Sequence, residues 1–281
     1  MTSSDQMLDG PHGPLRVRIY PAADPAGQLL VWAHGGGFAA GDIDMPEADW
    51  VAQAFAARGI TVVSVDYALA PITAGSRWTD VEPRAGVHHP VASEEVGFAF
   101  AWARDQASTW DADPARVALG GASAGANLAT GAIVRLMQGG GVVPALAVLA
   151  YPTLHAVQPP VPADLASAIA AAGLNDQFPP ETMRVMYENL LGGPVDGADI
   201  VAVPGSATAE QLRGFPATVI VASEVDELRV SGEAFAATLE SAGVDVAFTI
   251  EPGTQHGHLN RPDEPGATTT IDAFAARIAE L

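Results

Sequence analysis

The sequence predicts an α/β domain with a mainly parallel central sheet flanked by helices. Three observations predict it: short runs that are almost wholly apolar, longer stretches with apolar residues at helical spacing, and regular alternation of the two. Along the chain the strands are expected at Val17–Tyr20, Leu29–Ala33, Ile60–Val65, Val117–Leu119, Ala145–Ala150, Thr218–Ala222 and Val246–Ile250. Most of them are nearly all apolar, as strands covered by helices on both faces require. Between them, Glu47–Ala57, Val91–Ser108, Ala124–Met137, Ser231–Ala242 and Ile271–Leu281 have the helical spacing. Such alternation implies right-handed crossovers between parallel neighbours.

The rhythm breaks between Pro152 and Pro216, where no strand is expected. Pro-rich stretches at Gln158–Pro162 and Phe178–Pro180 are followed by a helix-like stretch, Glu181–Leu191. An insertion of this length after a strand reads as a lid over the active edge of the sheet. The expected organisation is therefore a single domain over residues 1–281 with a cap insertion at about 153–205.

Composition bounds the function. Hydrophobic residues make up 48% and charged residues 16% of the 281, which argues against disorder. No apolar run is long enough to cross a bilayer, and Met1–Gly10 lacks the basic and apolar regions of a signal peptide, so a cytoplasmic protein is expected. There is no cysteine, hence no disulfide, thiolate metal site or cysteine nucleophile. Net charge is −20, and all 13 basic residues are arginine. Such a surface repels nucleic acid and anionic membranes and suits a neutral or cationic small substrate.

Gly121-Ala122-Ser123-Ala124-Gly125 matches G-x-S-x-G. The apolar run Val117–Leu119 precedes it and the helix former Ala126–Ala129 follows. This strand–turn–helix resembles the nucleophile turn of α/β-hydrolases, which exposes the serine hydroxyl on a strained bend. Small neighbours suit a backbone that turns so tightly. A serine hydroxyl is a poor nucleophile at neutral pH and needs a base, which in turn needs an orienting acid. In that fold the order is serine, acid, histidine. His256 and His258, both in the loop after Val246–Ile250, remain as bases, whereas His155 precedes any plausible acid. Glu224, Asp226 and Glu227 follow Thr218–Ala222 and are the candidate acids.

After Leu29–Ala33 come His34-Gly35-Gly36-Gly37-Phe38. Successive glycines leave amide groups unobstructed and able to converge on a developing alkoxide. The segment lacks the lysine and Ser/Thr of a phosphate loop and the spacing of a dinucleotide loop.

Taken together, these motifs resemble the hormone-sensitive lipase group of α/β-hydrolases, the bacterial esterases and lipases with an HGGG loop. His34–Phe38 with Gly41 resembles the oxyanion loop, and Asp66-Tyr67-Ala68-Leu69-Ala70-Pro71 the element after the next strand. Gly121–Ala129 resembles the nucleophile turn, Asp226-Glu227-Leu228-Arg229 the acid motif, and Gly253-Thr254-Gln255-His256-Gly257 the histidine motif. The match spans roughly residues 15–281. The resemblance implies a serine carboxylesterase with Ser123, Asp226 and His256 as its triad, and selects His256 over His258. It also implies oxyanion donors at the amides of Gly36, Gly37 and Ala124, with His34 shaping their loop. Neither metal nor cofactor is implied.

The sequence departs from the family pattern at Ala122, Ala68, Glu227 and His258, where Asp, Arg, Pro and Phe are usual. Only 33 residues precede the HGGG loop, so a reduced cap is expected. Such a cap admits small acyl groups, or is completed by a neighbouring subunit in a homodimer. Phe38, Trp78, Leu154 and Met183 are candidates to line the pocket, with Met186, Tyr187 and His258. The expected substrate is a small, short-acyl ester. An amidase or formamidase shares the tetrahedral intermediate, and a non-catalytic small-ligand binder shares the fold.

Overall fold

In the computed structural model, residues 2–72, 82–174 and 177–281 are described. One eight-stranded sheet runs through the molecule: β1 (Ser4–Gly10), β2 (Gly13–Tyr20), β3 (Leu29–Ala33), β4 (Thr61–Asp66), β5 (Val117–Ala122), β6 (Leu146–Ala150), β7 (Ala217–Val225) and β8 (Val246–Gln255). Its order is β1-β2-β4-β3-β5-β6-β7-β8. The strands from β4 through β8 pair in parallel, whereas β2 is antiparallel to both β1 and β4. The expected mainly parallel sheet is thus present, with an antiparallel edge added.

The period of two in each strand divides the core between the two faces. On β3, Leu29, Val31 and Ala33 face one cluster, whereas Leu30 and Trp32 face the other. The first cluster is closed by α2 (Val91–Gln106), α3 (Ala124–Gln138) and α6 (Arg229–Ser241), through Phe100, Leu128, Ile133 and Phe235. The second is closed by α1 (Asp49–Ala56) and α7 (Pro265–Ala279), through Val51, Phe55, Ile271 and Phe274. Each helix meets the sheet along an apolar stripe, and burying such a side chain contributes about 1.5–3 kcal/mol.

Between β6 and β7, α4 (Ala163–Ala171) and α5 (Pro180–Leu191) occur, and no strand among the described residues. α5 begins with Pro180 at its first position and stops at Gly192, whose φ of 68° ends the helix. It buries Met183, Tyr187 and Leu190. The Tyr187 hydroxyl accepts from the Asn127 side-chain amide at 2.8 Å and donates to the Thr153 carbonyl at 2.9 Å, tying α5 to α3.

Among the strands and α-helices of the described residues, two were not expected. β1 is polar and mostly exposed, and forms because it pairs in register with β2 from Ser4↔Ile19 to Gly10↔Gly13. α4 is a short alanine-rich helix that buries Leu165 and Ile169, one turn apart.

The sheet's strand order reverses at β3, where β4 lies on one side and β5 on the other. In open parallel sheets, ligands bind at the carboxyl ends of the strands flanking such a reversal. The glycine loop leaves β3 there, and Ser123 leaves β5 beside it, with Ala33 opposite Gly121.

Candidate active site

Ser123 sits between the end of β5 and the first residue of α3 with φ 51° and ψ −115°, a backbone conformation that is strained for any residue but glycine. Its amide donates to the Ala150 carbonyl at 2.9 Å, which pins the bend to β6. The flanking glycines are steric necessities, because a Cβ on either Gly121 or Gly125 would collide with the Ala33 carbonyl. The hydroxyl lies at the amino end of a 15-residue helix, where negative charge is favoured.

Asp226 and His256 are brought together by the sheet. Val225, the last residue of β7, pairs with Gln255, the last residue of β8, after a register shift. The next residue of each strand then stands beside the other. His256 Nδ1 lies 2.7 Å from Asp226 Oδ2, and His256 Nε2 lies 2.9 Å from Ser123 Oγ. An ionised carboxylate only accepts hydrogen bonds. Nδ1 therefore carries the imidazole proton, leaving Nε2 free to accept from the serine. The Asp226 side chain is wholly buried, and its Oδ1 accepts from the Leu228 amide at 2.9 Å. Tyr151 and Phe178 pack edge-on to the His256 ring at centroid distances of 5.0 and 4.6 Å, restricting its rotation.

The glycine loop adopts conformations that demand glycine: φ is 117° at Gly36 and 58° at Gly37. The amides of Ala39 and Ala40 donate to the Gly36 carbonyl at 3.2 and 2.9 Å, curling the loop. A Cβ on Gly36 would collide with the Ala40 carbonyl. The Gly36 and Gly37 amides have no protein acceptor among the described residues. Ala124, the first residue of α3, has no intrahelical acceptor for its amide. His34 lies behind the loop, stacked on Tyr67 at 4.4 Å, with Nδ1 2.7 Å from the Gly35 carbonyl. Burial pushes its imidazole below the ordinary histidine range, which favours the neutral form.

A cavity of about 290 Å³ opens over these groups. Gly36, Gly37, Ser123 and His256 line it on the polar side, and Met45, Phe178, Met186 and Leu228 provide its apolar wall. Glu47 and Asn260 also line it. Among the described residues, no group of three or more His, Cys, Asp or Glu side chains is placed to hold a metal ion, and no helix is long and apolar enough to cross a membrane.

Of the expected lining residues, Met186 reaches the cavity. Phe38, Leu154, Met183 and Tyr187 do not line it: each is buried in the main core, and the Phe38 and Tyr187 rings pack against each other at 5.4 Å. On α5, Met183 and Tyr187 are one turn apart and share the core-facing stripe, which excludes both from the cavity side. Trp78 lies outside the described residues. His258 is also displaced from its expected position. It is buried between the Ser223 hydroxyl at 3.0 Å and the Thr270 hydroxyl at 2.8 Å, with its ring 4.9 Å from that of Tyr151. Met45, Glu47, Phe178, Leu228 and Asn260 were missed from the sequence, because which side of a loop faces the site is settled by packing.

His258 and His155 have a measurable consequence. Burial, with the Arg261 charge nearby, pushes His258 down to about 3, and burial pushes His155 down to about 4, from an ordinary 6.5. Between those values the unfolded chain binds protons that the folded chain does not. Their contribution to stability is therefore full above about pH 6.5 and is lost as pH falls, at up to about 1.4 kcal/mol per pH unit for each group. His258→Phe is expected to lower stability near pH 8 by about 1–3 kcal/mol, since Ser223 and Thr270 lose their partner. The gap to wild type should then narrow by about pH 5, as read by urea unfolding at both values. A gap unchanged between the two would show that His258 titrates normally.

Comparison with known proteins gives a consistent result. A family model described as the α/β-hydrolase fold matches residues 83–260. The chain is similar to the carboxylic ester hydrolase LipN of Mycobacterium tuberculosis, at 33% identity over 92% of this chain and 64% of LipN, so it spans a little under two-thirds of that relative's length. It is 30% identical to the ethyl acetate hydrolase of Pseudomonas putida, over 95% of this chain and 79% of the relative. Among solved structures, an esterase from Pyrobaculum calidifontis superposes with a TM-score of 0.82 at 26% identity, covering 99% of this chain and 85% of that one.

Proposed function

The chain belongs to the α/β-hydrolase family, in its hormone-sensitive lipase-like group of ester hydrolases, and from that premise we propose that it hydrolyses small, short-acyl carboxylic esters through Ser123, His256 and Asp226. The observation that carries this reading is the unbroken relay of 2.7 and 2.9 Å contacts from Asp226 through His256 to Ser123, ending in a cavity beside Gly36 and Gly37.

The steps follow from the geometry. Ser123 Oγ attacks the ester carbonyl carbon while His256 Nε2 takes the hydroxyl proton. Asp226 holds the Nδ1–H tautomer and stabilises the imidazolium that forms. The carbonyl oxygen becomes an oxyanion held by the amides of Gly36, Gly37 and Ala124, and losing one such donor costs about 3 kcal/mol of barrier. Collapse of the intermediate breaks the bond to the alcohol oxygen, which takes the proton from His256. Water then attacks the acyl-enzyme with His256 again as base, releasing the acid and restoring Ser123.

Substrate size follows from the walls. A cavity of about 290 Å³ lies at the small end for ligand sites, and Met45, Phe178, Met186 and Leu228 make it apolar. Phe178 and Met186 belong to the segment of about 153–205, which on this reading is a reduced cap. The name of the Pseudomonas putida relative, an ethyl acetate hydrolase, fits a substrate of this size.

The reading is tested by turnover of p-nitrophenyl esters of increasing acyl length against the matched p-nitroacetanilide. The expected profile peaks between acetate and butyrate, falls steeply by decanoate, and leaves the anilide far slower than the acetate ester. Anilide turnover equal to or above that of the ester would make the protein an amidase. A peak at long chains would contradict the size of the cavity.

A further inference from the structure

The reaction steps leave unused a carboxylate that lies next to them. Glu47 is 2% exposed and precedes α1, and among the described residues it has no ion-pair partner. A carboxylate taken out of water without a counter-ion is strongly disfavoured unless hydrogen bonds replace its hydration. Here three donors do so, each from a different segment. Oε2 accepts from the Gly35 amide at 2.6 Å, and Oε1 accepts from the Tyr151 hydroxyl at 2.6 Å and the Asn260 side-chain amide at 3.1 Å. The residue's own backbone is held as well, its amide donating to Asn260 Oδ1 at 3.2 Å and its carbonyl accepting from the Trp32 indole at 2.8 Å.

Each donor belongs to a working part of the site. Gly35 opens the glycine loop and directly precedes Gly36. There is no slack at this point: a Cβ on Gly35 would collide with the Glu47 carboxylate and lie 3.2 Å from the Ser123 Cβ. Tyr151 is the ring packed edge-on to His256, held at a strained φ of 32°. Asn260 lies four residues beyond His256 and lines the cavity with Gly257. The oxyanion loop, the wall of the base and the loop carrying the base are thus fastened at one point.

We propose that Glu47 is a positioning residue for the reaction, its carboxylate holding the glycine-loop amides and the His256 ring in register with Ser123. The inference rests on the reading of Ser123, His256 and Gly36–Gly37 as the reacting groups. Three converging donors require a group that only accepts. Glutamine has the same shape but turns an NH2 toward at least one of those donors, so Glu47→Gln disturbs the register without opening a cavity.

The test is Glu47→Gln assayed on p-nitrophenyl acetate, with inhibition by a trifluoromethyl ketone that adds to the serine as a tetrahedral mimic. The expected result is a kcat roughly ten- to hundred-fold lower with KM within about threefold, and a ketone affinity weakened by the same factor as kcat/KM. Glu47→Asp keeps an acceptor-only charge and should recover part of both losses. Tyr151→Phe removes one donor yet keeps the ring, and should show a smaller version of the same pattern. If the folded Glu47→Gln protein is merely less heat-stable, with wild-type kcat and ketone affinity, the inference is overturned. Should that variant fail to fold, unchanged kcat and ketone affinity in Tyr151→Phe overturn it instead. Failure of the underlying site reading looks different, because Ser123→Ala would then retain wild-type turnover whatever Glu47 does.

Discussion

Ser123→Ala is expected to lower kcat for p-nitrophenyl acetate by on the order of a million-fold, the loss seen when an activated serine is removed from an intact triad. The effect is this large because, among the described residues lining the cavity, Ser123 alone carries a hydroxyl, and it alone is hydrogen-bonded to His256 as a base. Residual turnover above the uncatalysed rate should persist, since Gly36, Gly37 and Ala124 still present their amides. The fold should survive. The substitution removes one hydroxyl and its 2.9 Å contact to His256, while the hydrogen bond donated by the residue 123 amide to the Ala150 carbonyl remains. The comparison is therefore clean: thermal unfolding within a few degrees of wild type, with hydrolysis lost. A purified variant hydrolysing within tenfold of wild type would remove Ser123 from the mechanism.

Asp226→Asn should lower kcat by on the order of ten-thousand-fold with the fold intact. The direction follows from which oxygen is already engaged. Asp226 Oδ1 accepts from the Leu228 amide at 2.9 Å, so an asparagine places its carbonyl oxygen there. Its NH2 then occupies the position of Oδ2 and donates to His256 Nδ1. The imidazole is driven into the Nε2–H tautomer, and the nitrogen facing Ser123 at 2.9 Å can no longer take a proton. KM for the acetate ester should change little, because Asp226 is buried behind the histidine and does not line the cavity. A kcat loss below about tenfold would mean that tautomer control by Asp226 is not part of the reaction.

Particular residues show how far the sequence could be read. β3 was legible at both ends because five successive apolar residues at Leu29–Ala33 are covered on both faces. β1 was not, since its stability comes from pairing with β2 and not from its own side chains. α4 was hidden by the prolines before it, although Leu165 and Ile169 have helical spacing. His256 stands 2.7 Å from Asp226 and 2.9 Å from Ser123, and each of the three residues follows a strand. The cavity walls follow a different logic: Met186 and Tyr187 are adjacent in sequence, yet one turns to the cavity and the other to the core. His258 was misplaced because proximity to His256 in sequence says nothing about burial: its ring is held in the core by Ser223 and Thr270. Glu47 stands among Asp42, Asp44 and Asp49 and reads as one more solvated acid. A signal was nevertheless present. Val51 and Phe55 form a buried stripe with a spacing of four, and extending it back by four reaches Glu47.

The claim on which everything turns is that Ser123 is the group that takes up the acyl chain. Labelling with a fluorophosphonate followed by tryptic mapping tests it most directly, since cleavage at Arg116 and Arg135 releases Val117–Arg135, a peptide whose lone serine is Ser123. A single adduct on that peptide, accumulating in step with the loss of ester hydrolysis and absent from Ser123→Ala, is the predicted result. Label on any other peptide, or hydrolysis that survives complete labelling, would contradict it.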